Sequence, residues 1–209
     1  MPTIRFCVIS DTHDTHFPYP LPHCDVLVHC GDLTQTGGQS AYKRAIQALK
    51  DAGAELKLVI AGNHDVSLDA EWWAQNLVEG VDDPDEPQQA LELFRSHHAK
   101  EAGLRYLEEG THTFELKSGV RFTVYASPCS PEFNGYAFAY EHDEDRFNTQ
   151  ANAGEGSRSI ARNPILEGVD VGMTHGPPLL PAGNAIYSFY MDGKASIADV
   201  HICGGLLSV

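Results

Sequence analysis

The chain has 209 residues, 42% hydrophobic and 21% charged, which is ordinary for a folded protein of one domain. Fourteen basic residues stand against 29 acidic ones, so the formal net charge is −15, which argues against a nucleic-acid backbone as the partner. There is no apolar run of the ~20 residues that cross a bilayer, no signal-peptide pattern and no CxxC pair among five cysteines. We therefore expect a cytoplasmic protein without a membrane partner.

Three apolar, β-branched runs occur early in the chain, at residues 4–9, 25–29 and 56–60. Near-continuous hydrophobicity is typical of strands that are covered on both faces. Between the second and third runs, residues 40–50 carry apolar side chains at helical spacing, and Gly53 is a plausible stop. This β-α-β pattern predicts parallel strands and an α/β fold.

Two more helices, a β-hairpin and two late strands are predicted downstream. They lie, in chain order, at residues 68–78, 88–100, 113–125, 169–173 and 198–202. The second of these helices would place Leu91, Phe94 and His98 on one face. We expect residues 1–209 to form one domain.

Four short runs of metal-ligand residues directly follow predicted strands. They are Asp11-Thr12-His13, Gly31-Asp32, Gly62-Asn63-His64-Asp65 and Thr174-His175-Gly176. Ligands of layered α/β folds bind in the crevice beyond the carboxyl ends of the strands. The four runs should therefore converge in one place.

The first two runs predict one cation and a bridge to another. Asp11 and His13 are two residues apart, so in an extended segment their side chains would lie on the same side and meet one cation. Asp32 follows Gly31, which allows the backbone to turn sharply. A carboxylate there can bridge two cations roughly 3.5–4 Å apart.

The other two runs predict the second cation and a proton donor. Asn63 offers an amide oxygen, and His175 offers an imidazole to the same cation. We expect His64 to point elsewhere and to donate a proton to a leaving oxygen. Asp65 would hold the His64 ring and favour its charged form.

These runs, with Pro177-Pro178 and the stretch Ser127-Pro128-Cys129-Ser130-Pro131-Glu132-Phe133, resemble the signature of the calcineurin-like metallophosphoesterase superfamily, in particular its metallophosphoesterase-domain-containing (239-like) branch. The resemblance implies a four-layer α/β/β/α sandwich and a centre of two divalent metal ions, such as Mn, Fe or Zn. It assigns the first metal to Asp11, His13 and Asp32, and the second to Asp32, Asn63 and His175.

The same resemblance implies an activity. A metal-dependent phosphohydrolase would cleave phosphomonoesters or phosphodiesters, cyclic nucleotides among them, by attack of a metal-bound hydroxide, and His64 would assist the departing alcohol. The implied partner is a small phosphate ester or nucleotide.

The chain departs from the family pattern near residue 204. The family's last run is Gly-His-x-His, and alignment on Gly204 places Gly205 and Leu207 where two imidazoles stand. His201 lies about 13 Å along a strand from Gly205, too far for a direct replacement. We then expect a sandwich that is truncated at its C-terminus. The truncation would reflect evolved loss, an alternative splice product or a wrongly predicted exon. The alternative function is that of a degenerate, weakly active or inactive phosphoesterase, which would act as a metal-binding, nucleotide-binding or regulatory protein.

Overall fold

The structure is a computed structural model that describes residues 4–15 and 20–176, together with the backbone of residues 200–202. Its strands, in chain order, are β1 (Phe6–Ile9), β2 (Val26–Cys30), β3 (Leu56–Ile60), β4 (Leu104–Tyr106), β5 (Gly110–Glu115), β6 (Arg121–Ser127), β7 (Ser130–Pro131), β8 (Ala139–Tyr140), β9 (Glu144–Asp145), β10 (Arg158–Ser159), β11 (Val171–Thr174) and β12 (Val200–Ile202). Its helices are α1 (Gln39–Asp51), α2 (Ala70–Asn76), α3 (Glu86–Arg95) and α4 (His97–Glu101), and a 3₁₀ turn spans Val66–Leu68.

The first sheet is parallel and has the order β1-β2-β3-β4. Strands β2 and β3 are buried along their whole length, which confirms the prediction made from their continuous apolar sequence. Because these strands run in the same direction, the carboxyl ends of β1, β2 and β3 meet at one edge of the sheet.

The second sheet has the order β12-β11-β6-β5. Strands β5 and β6 form the predicted hairpin, and β11 lies parallel to β6. The two sheets pack face to face across one hydrophobic core, to which the first sheet contributes Val28 and Leu58 and the second contributes Val124 and Met173. The carboxyl end of β11 is thereby brought to the edge where β1, β2 and β3 end.

The other face of the first sheet is covered by helices. Leu27 and Val59 pack there against Tyr42 and Ile46 of α1 and Phe94 of α3. The structure is therefore an α/β fold with a parallel sheet, as predicted.

The outer face of the second sheet is covered differently. Tyr125 of β6 packs with Cys129, Tyr140 and Phe147, which belong to loops and short strands. Within residues 20–176 this layer contains no helix. The second helical layer of the predicted four-layer sandwich, and the predicted truncation, concern residues outside the described ranges and stay predictions.

Two helix predictions need correction at their boundaries. The helix predicted at 88–100 is broken at Ser96, whose hydroxyl accepts a hydrogen bond from Ala99 N (3.2 Å) and caps α4. The break leaves His98 exposed instead of on the face of Phe94. The helix predicted at 68–78 is confined to α2, because Asp69 caps it by accepting from the backbone of Glu71 and Trp72.

None of the helices in the part of the chain that the structure describes has the length and apolar character that a bilayer crossing requires.

Candidate metal centre

The loop after β1 carries Asp11 and His13 in left-handed backbone, with φ of 54° and 42°. The predicted extended geometry of this segment is therefore wrong, although the two side chains still meet. Backbone hydrogen bonds hold the loop to its neighbour, from Asp11 N to Gly31 O and from His13 N to Asp32 O, both 3.0 Å. Non-glycine residues in this region are strained, and such strain is concentrated at functional sites.

Asp11, His13 and Asp32 form the first group of ligand atoms. One atom from each lies within 4.8 Å of the others. His13 Nε2 is 3.8 Å from an Asp11 oxygen and 3.5 Å from Asp32 Oδ2. His13 Nδ1 donates to Thr34 O (3.2 Å), and because a carbonyl only accepts, the lone pair of Nε2 is left for a cation.

Asn63, His175 and Asp32 form a second group. His175 Nε2 lies 2.7 Å from Asn63 Oδ1 and 3.4 Å from Asp32 Oδ1. His175 Nδ1 donates to Cys30 O (2.8 Å), so Nε2 of the neutral ring is an acceptor that faces another acceptor. Two acceptors this close repel each other unless a cation or a second ring proton lies between them. Ligands about 2.1 Å from a shared cation stand roughly 3 Å apart, so the spacing fits a metal.

Asp32 belongs to both groups. Its Oδ2 faces His13 and its Oδ1 faces His175, while Oδ1 also accepts from His64 N at 2.9 Å. The residue is only 2% exposed, and its backbone is left-handed (φ 53°). A carboxylate that presents one oxygen to each of two ligand groups fits a centre of two cations.

Two glycines make room for this arrangement. A Cβ atom on Gly31 would lie 2.6 Å from His175 Nδ1, and one on Gly62 would lie 2.3 Å from Asp32 Oδ1. Gly31 also has a φ of 99°, which side chains disfavour. The close approach of the loops after β2 and β3 therefore requires glycine at both positions.

His64 lies at the edge of the first group and does not join it. Its Nδ1 donates to Gln35 O (2.8 Å), and its ring centroid is 4.8 Å from that of His13 and 4.5 Å from that of Tyr136. The ring is only partly buried. The ring is thus held in orientation beside the candidate centre.

Asp65 does not hold the His64 ring, contrary to the sequence-based expectation. Its carboxylate accepts from the backbone N–H groups of Leu33 (3.1 Å), Thr34 (3.0 Å) and Gly62 (2.9 Å), and from the Thr34 hydroxyl (2.8 Å). Burial raises the pKa of Asp65 to about 6, while these hydrogen bonds oppose the rise. Asp65 ties together the loops that carry Asp32 and Asn63.

His29, near the end of β2, is buried and has a structural hydrogen bond. Its Nε2 lies 3.0 Å from Thr12 Oγ1, and its Nδ1 has no hydrogen-bond partner among the described residues. Burial lowers the pKa of His29 to about 3, so the ring is neutral in the folded protein.

An open cleft of about 420 Å³ adjoins the second ligand group. Asn63 and His175 stand on its wall, together with Pro131 of β7 and with Phe133 and Tyr136 from the loop after β7. The sequence around Phe133 contributed only to the family resemblance, and no role in the site was predicted for it. The concentration of aromatic side chains just beyond a strand was the available signal.

The closing motif expected around Gly204, Gly205 and Leu207 lies outside the described residues, as do Pro177 and Pro178. For His201 only the backbone is described, and it pairs with Gly172 in β11.

The fold and the ligand groups define an α/β protein with a candidate dinuclear metal centre. The sequence matches the family model described as calcineurin-like phosphoesterase over residues 4–205. It is 32% identical over 177 residues to metallophosphoesterase domain-containing protein 1 of Homo sapiens. The aligned residues make up 84% of this chain and 49% of the human protein. The Mus musculus protein of the same name gives the same values. A probable rhamnogalacturonate lyase C of Emericella nidulans is 28% identical over 181 residues, which are 84% of this chain and 14% of that protein.

The chain therefore belongs to the calcineurin-like phosphoesterase family. It spans about half the length of the human and mouse relatives.

Proposed function

We propose that this protein is a metal-dependent phosphohydrolase that cleaves phosphomonoesters or phosphodiesters, cyclic nucleotides among them. The position of Asp32 carries the proposal, because its two oxygens face two separate groups of ligand atoms. Membership of a phosphoesterase family supports the same reaction class.

The chemistry of the donor atoms supports a centre of two divalent ions, such as Mn, Fe or Zn. One ion would be held by Asp11, His13 and Asp32, and the other by Asp32, Asn63 and His175. Imidazole, carboxylate and amide oxygen suit these metals. When bound, the two ions would polarise the phosphoryl oxygens and lower the pKa of a water molecule that attacks phosphorus.

The protein's own proton donor would be His64. Donation from Nδ1 to Gln35 O fixes the ring, so that Nε2 can hold the proton that passes to the leaving alcohol oxygen. The ring of Tyr136 covers one side of the imidazole and limits its rotation. Asp65 acts through the backbone of the metal-binding loops and has no direct part in the proton transfer.

The test is hydrolysis of bis(4-nitrophenyl) phosphate and 4-nitrophenyl phosphate by protein loaded with Mn²⁺. We expect Asp32→Ala to lower kcat/KM by at least about 100-fold, because both ions lose a ligand. Asp51→Ala is the matched control, since it removes an exposed carboxylate at the end of α1. If the metal-loaded wild type is no faster than Asp32→Ala, the proposal fails.

A second candidate is a binding or regulatory protein with little turnover. The observation that favours it is the sequence at Gly205 and Leu207, where the family motif has two imidazoles. Titration calorimetry with Mn²⁺ and nucleoside monophosphates separates the two candidates. Tight binding without hydrolysis favours the second, and hydrolysis that depends on Asp32 favours the first.

A further inference from the structure

We infer that the cleft beside Asn63 and His175 receives the organic part of the phosphate ester, and that it selects an uncharged aryl or similarly flat apolar group. This inference rests on the proposed function, since it names the substrate class of the same site. It concerns the residues of the cleft wall that belong to neither ligand group.

The cleft adjoins the second ligand group. Its lining includes Asn63 and His175, whose facing acceptors belong to that group. Its volume of about 420 Å³ lies in the range of small-molecule sites. An ester whose phosphoryl group lies at the ligand groups therefore has its organic part in this cleft.

The wall of the cleft is rich in apolar side chains. They are Pro131, Phe133, Tyr136, Ala137 and Ala139. Phe133 is 69% exposed, so most of its ring is available for contact with a ligand in the cleft. A flat apolar group would bury the ring and gain the hydrophobic free energy of that contact.

The wall of the cleft carries no basic Lys or Arg side chain among the described residues that line it. The titratable side chains there outside the ligand group are Glu132, Tyr136 and His142. A second anionic group, carried on the organic part of the substrate, would approach the Glu132 carboxylate, and no Lys or Arg among the described lining residues balances that charge. The whole chain carries a net charge of −15, which adds to the same effect.

Hydrogen bonds hold the wall of the cleft in place. Trp72 Nε1 donates to Gly135 O, Asp69 Oδ2 accepts from Phe138 N, and Glu132 Oε1 accepts from Gly135 N, each at 2.7 Å. A site built before the ligand arrives loses less conformational entropy on binding. The aromatic loop is therefore a fixed wall for one class of group.

The experiment is titration calorimetry of the Mn²⁺-loaded protein with three phosphonates that are not hydrolysed: methylphosphonate, phenylphosphonate and 4-carboxyphenylphosphonate. We expect phenylphosphonate to bind about tenfold or more tightly than methylphosphonate, because the aryl ring is buried against the wall. We expect 4-carboxyphenylphosphonate to bind several-fold more weakly than phenylphosphonate.

Three variants locate the effect. Phe133→Ser should remove most of the preference for the aryl group, whereas Val81→Ser, which changes another exposed apolar side chain away from the cleft, should leave it unchanged. Glu132→Gln keeps an oxygen that can accept from Gly135 N but removes the charge, so it should restore binding of the carboxylated ligand.

Equal affinities for the methyl and phenyl ligands, or a Phe133→Ser variant with an unchanged preference, would overturn the inference. Hydrolysis that depends on Asp32 without any aryl preference overturns the inference and leaves the proposed function standing. An aryl preference in a protein that hydrolyses nothing supports the inference and overturns the proposed function. If no phosphonate binds, the inference is overturned.

Discussion

Substitution of Gly62 by alanine should disrupt the candidate metal centre and leave the fold intact. Gly62 lies between the loops that carry Asp32 and His175. Its φ is outside the left-handed region, so the alanine backbone is not strained there and the effect is one of space alone. The new Cβ would lie 2.3 Å from both the backbone nitrogen and Oδ1 of Asp32, and 2.7 Å from His175 Cε1.

The size of the effect follows from these distances. Ordinary contacts of a Cβ atom begin near 3.4 Å, so Asp32 must move by about 1 Å relative to Gly62. Metal–ligand distances tolerate only about 0.2 Å. We expect the affinity for Mn²⁺ to fall by at least ~100-fold, the upper end of the loss seen when the partners of a metal ligand are disturbed. Overpacking of this kind costs about 1–3 kcal/mol of unfolding free energy, which a typical domain survives.

Titration calorimetry measures the affinity, and urea unfolding in EDTA measures the stability. The control is Gly53→Ala, because a Cβ on Gly53 meets no atom within 4 Å. It should bind metal like the wild type. A Gly62→Ala protein that binds two equivalents of Mn²⁺ with wild-type affinity would refute the geometry described for Asp32 and His175.

Three further predictions concern residues around the centre. His64→Gln should lower kcat by about 10²–10⁴ for phenyl esters, which need a protonated leaving group, and far less for 4-nitrophenyl esters; equal losses would contradict proton donation. Asp65→Ala should lower the unfolding free energy in EDTA by about 3 kcal/mol or more, because three buried backbone N–H groups lose their acceptor; a loss below about 1 kcal/mol would contradict this role. His29 has a pKa of about 3 when folded and an ordinary value near 6.5 when unfolded, so the unfolded chain binds an extra proton between these values. We therefore expect the unfolding free energy of the wild type in EDTA, relative to that of His29→Gln, to fall by up to ~1.4 kcal/mol for each pH unit below about 6.5. If the difference in unfolding free energy between the two proteins does not change with pH, the pKa argument is refuted.

The parallel sheet could be predicted because its cause lies in the local sequence. Strands β2 and β3 are buried on both faces, and continuous apolar sequence is the direct consequence of that burial. The convergence of Asp11, Asp32 and Asn63 follows from the same pattern, since parallel strands end at one edge. The structure does bring the five predicted ligands together, and their binding of metal stays a prediction.

Asp65 shows what the local sequence could not reveal. Its position after His64 suggested a contact between the two side chains, but its partners Leu33 and Thr34 stand more than thirty residues away. The carboxylate is buried, and two of its three backbone donors are brought to it only by the tertiary fold. Neighbours in sequence are a poor guide to the partners of a buried charge.

The backbone of the first ligand loop illustrates a second limit. Left-handed backbone at Asp11 and His13 is uncommon for residues other than glycine, so no pattern announced it. The hydrogen bonds that impose it come from Gly31 and Asp32 on the neighbouring loop. By contrast, the break at Ser96 had a local signal, because serine is a preferred N-cap residue.

We propose that one carboxylate, Asp32, joins two metal ions in a single centre. Electron paramagnetic resonance of the protein with two equivalents of Mn²⁺ can detect such a centre. We expect a spin-coupled pair, because two ions bridged by a carboxylate lie roughly 3.5–4 Å apart, and we expect the coupling to be lost in Asp32→Ala. Only isolated Mn²⁺ signals in the wild type, or a coupled pair that survives in Asp32→Ala, would contradict it.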